Sequence, residues 1–111
     1  MKLRDHLYEP LETAALSDTV RFRAGSPVYD GHFPGFPITP GVLLMQTATE
    51  LLEARLGRSL ALEEAVNVRF LSPVVPEDIV RFSFTDGGEN LWKILLEKDG
   101  IPCAKMTLRY R

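Results

Sequence analysis

The sequence has few residues of the kinds that form crosslinks or metal sites: one cysteine, Cys103, and two histidines, His6 and His32, among 111 residues. A single cysteine excludes an intrachain disulfide framework and a zinc site built from several cysteines, and it is typical of a reducing compartment. We interpret Cys103 as a small, buried or half-buried strand residue. His6 lies among charged residues and is interpreted as a solvated surface side chain.

Long apolar runs are also missing. No stretch approaches the roughly 18 apolar residues that a membrane span requires, and the first six residues lack the apolar region of a secretion signal. Acidic and basic residues are interspersed, with a net charge of −2, so the basic patch of a nucleic-acid-binding protein is absent. We therefore expect a cytoplasmic protein that binds neither membranes nor nucleic acid.

The overall composition is ordinary for a globular domain, with 45% hydrophobic and 25% charged residues. A chain of this size can bury roughly two thirds of the surface that it exposes when unfolded. We expect one domain over residues 1–111. Residues 1–15, which Pro10 interrupts, are predicted to be irregular, with a short helical turn near residues 12–16.

The most unusual segment is a proline-rich loop, because four of the eight prolines fall between Pro27 and Pro40. Prolines fix φ and restrict the residue before them, so this loop is stiff and suited to holding a reactive side chain. His32 is the candidate, since a reference pKa near 6.5 suits proton transfer at neutral pH. The alternative is that His32 only caps the loop by hydrogen bonds. Asp30 either orients the imidazole or caps the loop.

A helix is predicted over residues 40–56, directly after this loop. Thr39 suits the N-cap, Pro40 the first helical position, and Gly57 the C-terminal stop. An apolar face recurs at helical spacing and is formed by Leu44, Met45, Ala48, Leu51, Leu52 and Leu56. The polar residues Gln46, Thr49, Glu50 and Glu53 are assigned to the opposite side.

Alternating polar and apolar residues predict strands elsewhere in the chain, at 19–24, 65–71, 80–85, 92–96 and 105–111. Loops at 86–90 and at Asp99-Gly100 join the last three strands as an antiparallel meander. About five strands and one apolar helix favour an α+β fold, with a single twisted antiparallel sheet around the helix.

Residues 31–43 read GHFPGFPITPGVL and strongly resemble the H-F-P-x-x-P-x-x-P-G signature of the hot-dog-fold 3-hydroxyacyl-acyl-carrier-protein dehydratases of the FabZ type. Residues 68–78 are similar to the F-x-x-P-V-x-P-G-D segment of that family, with Glu77 where glycine is usual. The resemblance implies a hot-dog fold, in which an antiparallel sheet of about five strands wraps around one long apolar helix.

The resemblance also implies roles for individual residues. His32 matches the histidine that acts on the C2 proton of a 3-hydroxyacyl thioester, and Gly41 matches the glycine whose backbone N–H binds the thioester carbonyl. Phe33, Phe36, Pro40 and Val42 would contact the substrate. The family works without metal or cofactor, on acyl groups carried by acyl carrier protein or coenzyme A. It forms dimers or larger dimer-based assemblies, with each active site in a tunnel between subunits.

The sequence departs from the family at the catalytic acid. The glutamate or aspartate lies fourteen residues after the histidine, which is position 46, and this chain has Gln46 there. A glutamine can orient water or a hydroxyl group but has no proton to release at physiological pH. Glu50 lies one helical turn further on and is either a displaced acid or a solvated surface residue.

Three functions remain open from the sequence. The leading hypothesis is a 3-hydroxyacyl thioester dehydratase-like enzyme of fatty acid or polyketide-type synthesis, with His32 as base and Gln46 as a positioning group. The second is an acyl thioesterase in which Gln46 orients the water and Glu50 or His32 is the base. The third is a non-catalytic acyl-binding or accessory subunit that pairs with a catalytic homologue. Four arginines are candidates for docking an acidic carrier protein or are simply solvated: Arg55, Arg58, Arg69 and Arg81.

Overall fold

The computed structural model describes residues 2–30 and 37–111. Its elements are, in chain order, strands β1 (Tyr8–Thr13) and β2 (Ser17–Phe22), a short 3-10 turn (Pro27–Tyr29), helix α1 (Gly41–Leu56), and strands β3 (Leu62–Phe70), β4 (Ile79–Asp86), β5 (Leu91–Lys98) and β6 (Ile101–Tyr110). Within these ranges, no helix has both the length and the apolar character to span a membrane.

The six strands form one antiparallel sheet in the order β1-β2-β4-β5-β6-β3. Buried residues of α1, among them Leu44, Ala48 and Leu52, join the inward side chains of the strands in one hydrophobic cluster. The predicted α+β architecture, a sheet packed around one apolar helix, is confirmed. Cys103 of β6 is 1% exposed, as expected for a small buried strand residue.

The strand count is six rather than about five, because β1 lies in the segment that was predicted to be irregular. Pro10 is compatible with this strand since β1 is at the edge of the sheet and pairs only with β2. Leu7 and Tyr8 are fully buried and attach the segment to the core. The predicted helical turn near residues 12–16 is wrong: a tight turn joins β1 to β2 there, closed by a hydrogen bond from Ala14 N to Ser17 O of 2.8 Å.

The meander of β4, β5 and β6 is confirmed. Asp99 and Gly100 link β5 to β6 with φ values of 51° and 78°, as a two-residue hairpin turn with left-handed residues requires. Gly57 ends α1 with φ 69°, in the left-handed conformation predicted for the helix stop.

Glu77 occupies a backbone conformation that normally favours glycine, with φ 73°. This is the position where the resembling family segment has glycine. The amide of Glu77 donates to Phe22 O at 2.6 Å, and its carboxylate accepts from Ala24 N at 3.1 Å. These bonds tie the loop before β4 to the end of β2 and offset the strain of a side chain at positive φ.

Candidate functional site

The two described ends of the proline-rich loop are held together. The hydroxyl groups of Tyr29 and Thr39 form a buried hydrogen bond of 2.7 Å, and the amide of Thr39 donates to Val74 O at 2.8 Å. Burial raises the pKa of Tyr29, so this hydroxyl stays protonated at neutral pH. The loop therefore starts and ends at fixed points beside the first turn of α1.

His32, Phe33 and Phe36 lie outside the described residues, so their predicted roles stay predictions. Asp30 is exposed at the end of the 3-10 turn, where its amide donates to Pro27 O at 3.1 Å. This contact is made by the backbone and not by the carboxylate, so both roles predicted for Asp30 stay predictions.

The start of α1 differs from the predicted cap. Pro40 is the N-cap residue, with ψ 141°, and Gly41 is the first helical residue. Thr39 does not cap the helix because its hydroxyl is bonded to Tyr29. The carbonyl of Pro40 accepts from Leu43 N at 2.9 Å. The amides at the very start of a helix have no intrahelical acceptor, so the Gly41 N–H can serve a ligand.

Gly41 lies in close contact with the ring of Phe70 on β3. A Cβ atom placed at Gly41 would lie far inside van der Waals contact with Cζ of Phe70. A groove of about 350 Å³ opens at this point, lined by residues 38–41 and 70–74 together with Leu44. Pro40 lines this groove and is half-buried, whereas Val42, the second residue of the helix, is 68% exposed.

Gly41→Ala should therefore lower the free energy of unfolding by about 1 kcal/mol, at the low end of the cost of overpacking, because the half-exposed ring of Phe70 can move aside. In a Phe70→Ala background the cost should vanish, because the ring that meets the new methyl group is gone. Urea unfolding of the four proteins in this cycle measures the coupling. Gly25→Ala is the control, since a Cβ there meets nothing within 4 Å. An equal cost of Gly41→Ala in both backgrounds would show that Phe70 is not the constraint.

Gln46 lies in the second turn of α1, is half-buried and is hydrogen-bonded to Glu50. Its Nε2 donates to Oε2 of Glu50 at 3.0 Å. It also lines a small pocket of about 160 Å³ whose other walls include Val42, Met45 and Leu62. The candidate acid position thus holds an amide that has one of its two N–H donors bonded to Glu50.

Glu50 does not lie on a solvated helix face, as the helical pattern predicted, because it is only 4% exposed. Its carboxylate accepts from the backbone amides of Leu3, at 2.8 Å, and Arg4, at 3.1 Å, and from the hydroxyl of Tyr8 at 2.9 Å. The segment before β1 covers this face of the helix, so the polar residue is buried with partners rather than solvated. Thr49 is likewise buried, and its hydroxyl is 2.8 Å from that of Tyr110.

The charge of Glu50 is set by two opposing effects. Burial alone would raise its pKa, but the hydrogen bonds from Gln46, the Leu3 amide, Tyr8 and the Arg4 amide outweigh burial and hold the pKa below the usual value for glutamate. Glu50 is therefore ionised at neutral pH and carries no proton to donate. Its role as an alternative acid stays a prediction, and these contacts support a structural role instead.

The four candidate arginines have different environments. Arg55 is neither solvated nor free for docking: its side chain is 18% exposed, and it pairs with Asp18 at 3.0 Å and donates to the carbonyls of Ala14 and Ala15. It therefore fastens the β1–β2 turn to the helix. Three others are not so enclosed: Arg58 bonds to Asn90, Arg81 pairs with Glu97, and Arg69 forms no ion pair with the described residues.

Of the predicted site residues, the helix brings Gln46 and Glu50 into contact, whereas Gly41 lines a separate groove at the start of the helix. The missed contributor is the N-terminal segment, whose Leu3, Arg4 and Tyr8 bind Glu50. The apolar residues Leu3 and Leu7, spaced one helical turn apart around charged residues, are the only sequence signal that this segment packs on the core.

Comparisons with known proteins give one consistent result. A protein-family model described as ApeI-like, ApeI dehydratase, matches residues 11–100. The chain is 32% identical over 92 residues to the 3-hydroxyacyl-acyl-carrier-protein dehydratase FabZ of Acidiphilium cryptum (strain JF-5), covering 71% of this chain and 56% of the relative. It is 42% identical over 82 residues to the FabZ of Pseudoalteromonas translucida (strain TAC 125), covering 64% of this chain and 55% of the relative. The chain thus spans little more than half the length of these two curated relatives.

A solved structure described as the dehydratase heterocomplex ApeI:P from Xenorhabdus doucetiae superimposes with a TM-score of 0.75, at 16% identity, over 92% of this chain and 93% of that one. This likeness shows the hot-dog fold that the sequence motifs predicted.

Proposed function

Because the chain belongs to the ApeI-like dehydratase family, we propose that it carries a dehydratase-like site for 3-hydroxyacyl thioesters, with His32 as the base. The single observation that carries this proposal is the start of α1, where Gly41 presents its amide at the positive end of the helix dipole beside an open groove. Such an amide stabilises the negative charge that develops on a thioester carbonyl when a C2 proton is removed.

Dehydration requires a proton for the leaving hydroxyl group, and Gln46 does not supply one. His32 would take the proton from C2, the C3–O bond would break, and the hydroxyl group must gain a proton to leave as water. Gln46 has no such proton. In our proposal Gln46 positions the hydroxyl group, and the proton comes from the imidazolium that His32 has become or from water.

We propose that a second copy of the chain completes the site, as the family resemblance implies. Strand β3 supports this, since it is an edge strand and nearly all of its side chains are exposed. Val66 and Phe70 are 47% and 52% exposed, which is unusual for apolar residues on an unpaired edge. Pairing of two β3 strands would cover them. The acyl group would be delivered by acyl carrier protein or coenzyme A.

The proposal is tested by incubating the purified protein with 3-hydroxyacyl and 2-enoyl thioesters and following hydration and dehydration. His32→Ala should reduce the rate by a factor on the order of 10²–10⁴. His6→Ala is the matched control, because that histidine is exposed in the N-terminal segment. Unchanged turnover in His32→Ala would refute the assigned base. Release of free thiol would indicate a thioesterase instead, since dehydration liberates none.

A second candidate function is favoured by one observation: position 46 holds an amide instead of an acid, and this amide is hydrogen-bonded to Glu50. A chain that has lost one half of a catalytic pair suits a non-catalytic acyl-binding or accessory subunit that works beside a catalytic homologue. The similar Xenorhabdus structure is itself described as a heterocomplex. Robust turnover by the unmodified chain alone would exclude this alternative.

A further inference from the structure

The hydrogen bond between Gln46 and Glu50 determines which end of the Gln46 amide is free. An ionised carboxylate can only accept hydrogen bonds, so the amide must turn its NH₂ group, and not its oxygen, toward Glu50. The 3.0 Å distance from Nε2 to Oε2 agrees with this orientation. The Oε1 atom of Gln46 is then the end that does not face Glu50.

Glu50 is a fixed anchor for this arrangement. Its Oε1 accepts from Arg4 N and the Tyr8 hydroxyl at 3.1 and 2.9 Å, and its Oε2 accepts from Leu3 N at 2.8 Å. Because the side chain is 4% exposed and bound on three sides, it cannot turn away from Gln46 without leaving buried donors unpaired.

We propose that Glu50 is a positioning residue that holds Gln46 as a hydrogen-bond acceptor, with Oε1 directed to the ligand. This deepens the proposed function and rests on it for the ligand: an acceptor at this position suits a group that donates, such as the 3-hydroxyl of an acyl chain. The pocket beside Gln46 combines apolar walls, from Val42, Met45, Leu60 and Leu62, with the polar side chains of Thr49 and Glu53, so a ligand there would meet both apolar surface and hydrogen-bonding groups.

The same geometry predicts how a carboxyl group would titrate at position 46. A carboxyl group placed there by Gln46→Glu would stand beside an ionised carboxylate. Two carboxyl groups at hydrogen-bond distance hold one proton between them, so the first deprotonation is easy and the second is strongly disfavoured. The introduced carboxyl should therefore remain protonated well above the usual range, with its O–H replacing the N–H donor of the amide.

Other charged and titratable groups surround the pair: Lys2, Arg4, Tyr8, Glu53, Arg58 and Tyr110. The cations Lys2, Arg4 and Arg58 oppose the effect of Glu50 on the introduced carboxyl group, whereas the Glu53 carboxylate adds to that effect. All of them are the same in Gln46→Glu and in Gln46→Glu/Glu50→Gln. The difference between these two proteins therefore isolates the effect of Glu50.

NMR with carboxyl-¹³C glutamate measures the carboxyl titrations, and the additional resonance relative to the unmodified protein identifies the introduced group. In Gln46→Glu its apparent pKa should lie at least about one pH unit above the ordinary glutamate value of about 4.3, and in Gln46→Glu/Glu50→Gln it should return toward that value. Equal titration near the ordinary value in both proteins would overturn the proposal.

A second measurement covers the case in which Glu50→Gln does not fold. Gln46 is the only glutamine in the chain, so glutamine-selective ¹⁵N labelling assigns its side-chain amide directly. One Nε2 proton should exchange with solvent at least tenfold more slowly than in a free glutamine side chain, and free exchange would contradict the proposal. Neither measurement requires turnover, so a positive result beside an inactive protein would mean that only the proposed function fails.

Discussion

Glu50→Ala is expected to lower the free energy of unfolding by about 3–5 kcal/mol, because it leaves buried donors without an acceptor. The carboxylate accepts from the amides of Leu3 and Arg4 and from the hydroxyl of Tyr8. Urea unfolding measures the loss, and amide hydrogen exchange should show the Leu3 and Arg4 amides losing protection first.

Glu53→Ala on the same helix is the matched control. Glu53 accepts one amide bond, from Leu60 at 2.8 Å, and lies 4.0 Å from Lys2 in a pair whose lysine is largely exposed. Its loss should cost about 1 kcal/mol. Equal costs for the two variants would mean that the N-terminal segment does not depend on Glu50.

The lowered pKa of Glu50 also predicts how stability depends on pH. Its contribution is fully present above the unfolded-state pKa of about 4.3 and is lost as pH falls through the lower pKa of the folded state. Below pH of about 4.3, the unmodified protein should therefore lose stability more steeply than Glu50→Gln. The limit for one group is about 1.4 kcal/mol per pH unit. Parallel pH profiles for the two proteins would contradict this linkage.

Gln46→Glu is expected to raise the rate of thioester hydration and dehydration by a factor on the order of 10²–10⁴, the usual contribution of a general acid. The pair with Glu50 supplies the proton that the glutamine lacks. Since the acid must be protonated, the gain should fade as pH rises through its raised pKa. Steady-state rates across pH test this directly.

Gln46→Leu controls for the simple loss of the amide. It removes the hydrogen bond to Glu50 but adds no proton, so it should show no gain. If folded Gln46→Glu is no faster than Gln46→Leu, position 46 is not the second half of the site.

The parts of the fold that follow from local chemistry could be predicted from the sequence. Pro40 and Gly57 bound the helix to within one residue, and Asp99-Gly100 specifies a hairpin because both residues accept positive φ. The family motif has glycine at position 77, and Glu77 does adopt a backbone conformation that normally favours glycine. These features depend on residues close together in the chain.

The environment of Glu50 could not be predicted in this way. Its partner Leu3 lies 47 positions earlier in the chain, and helical periodicity says nothing about which distant segment covers a polar face. β1 was missed for a related reason, since Pro10 disfavours an interior strand and only the sheet order shows that this strand is at the edge. The constraint on Gly41 likewise comes from Phe70 on another strand.

We propose that His32 and position 46 form the two halves of a dehydratase-like site. The most direct measurement is the hydration rate of a 2-enoyl thioester by Gln46→Glu, with and without His32→Ala. We expect His32→Ala to abolish the gain, with a loss on the order of 10²–10⁴, and His6→Ala to leave the rate unchanged. A rate that is the same with and without His32 would contradict this proposal.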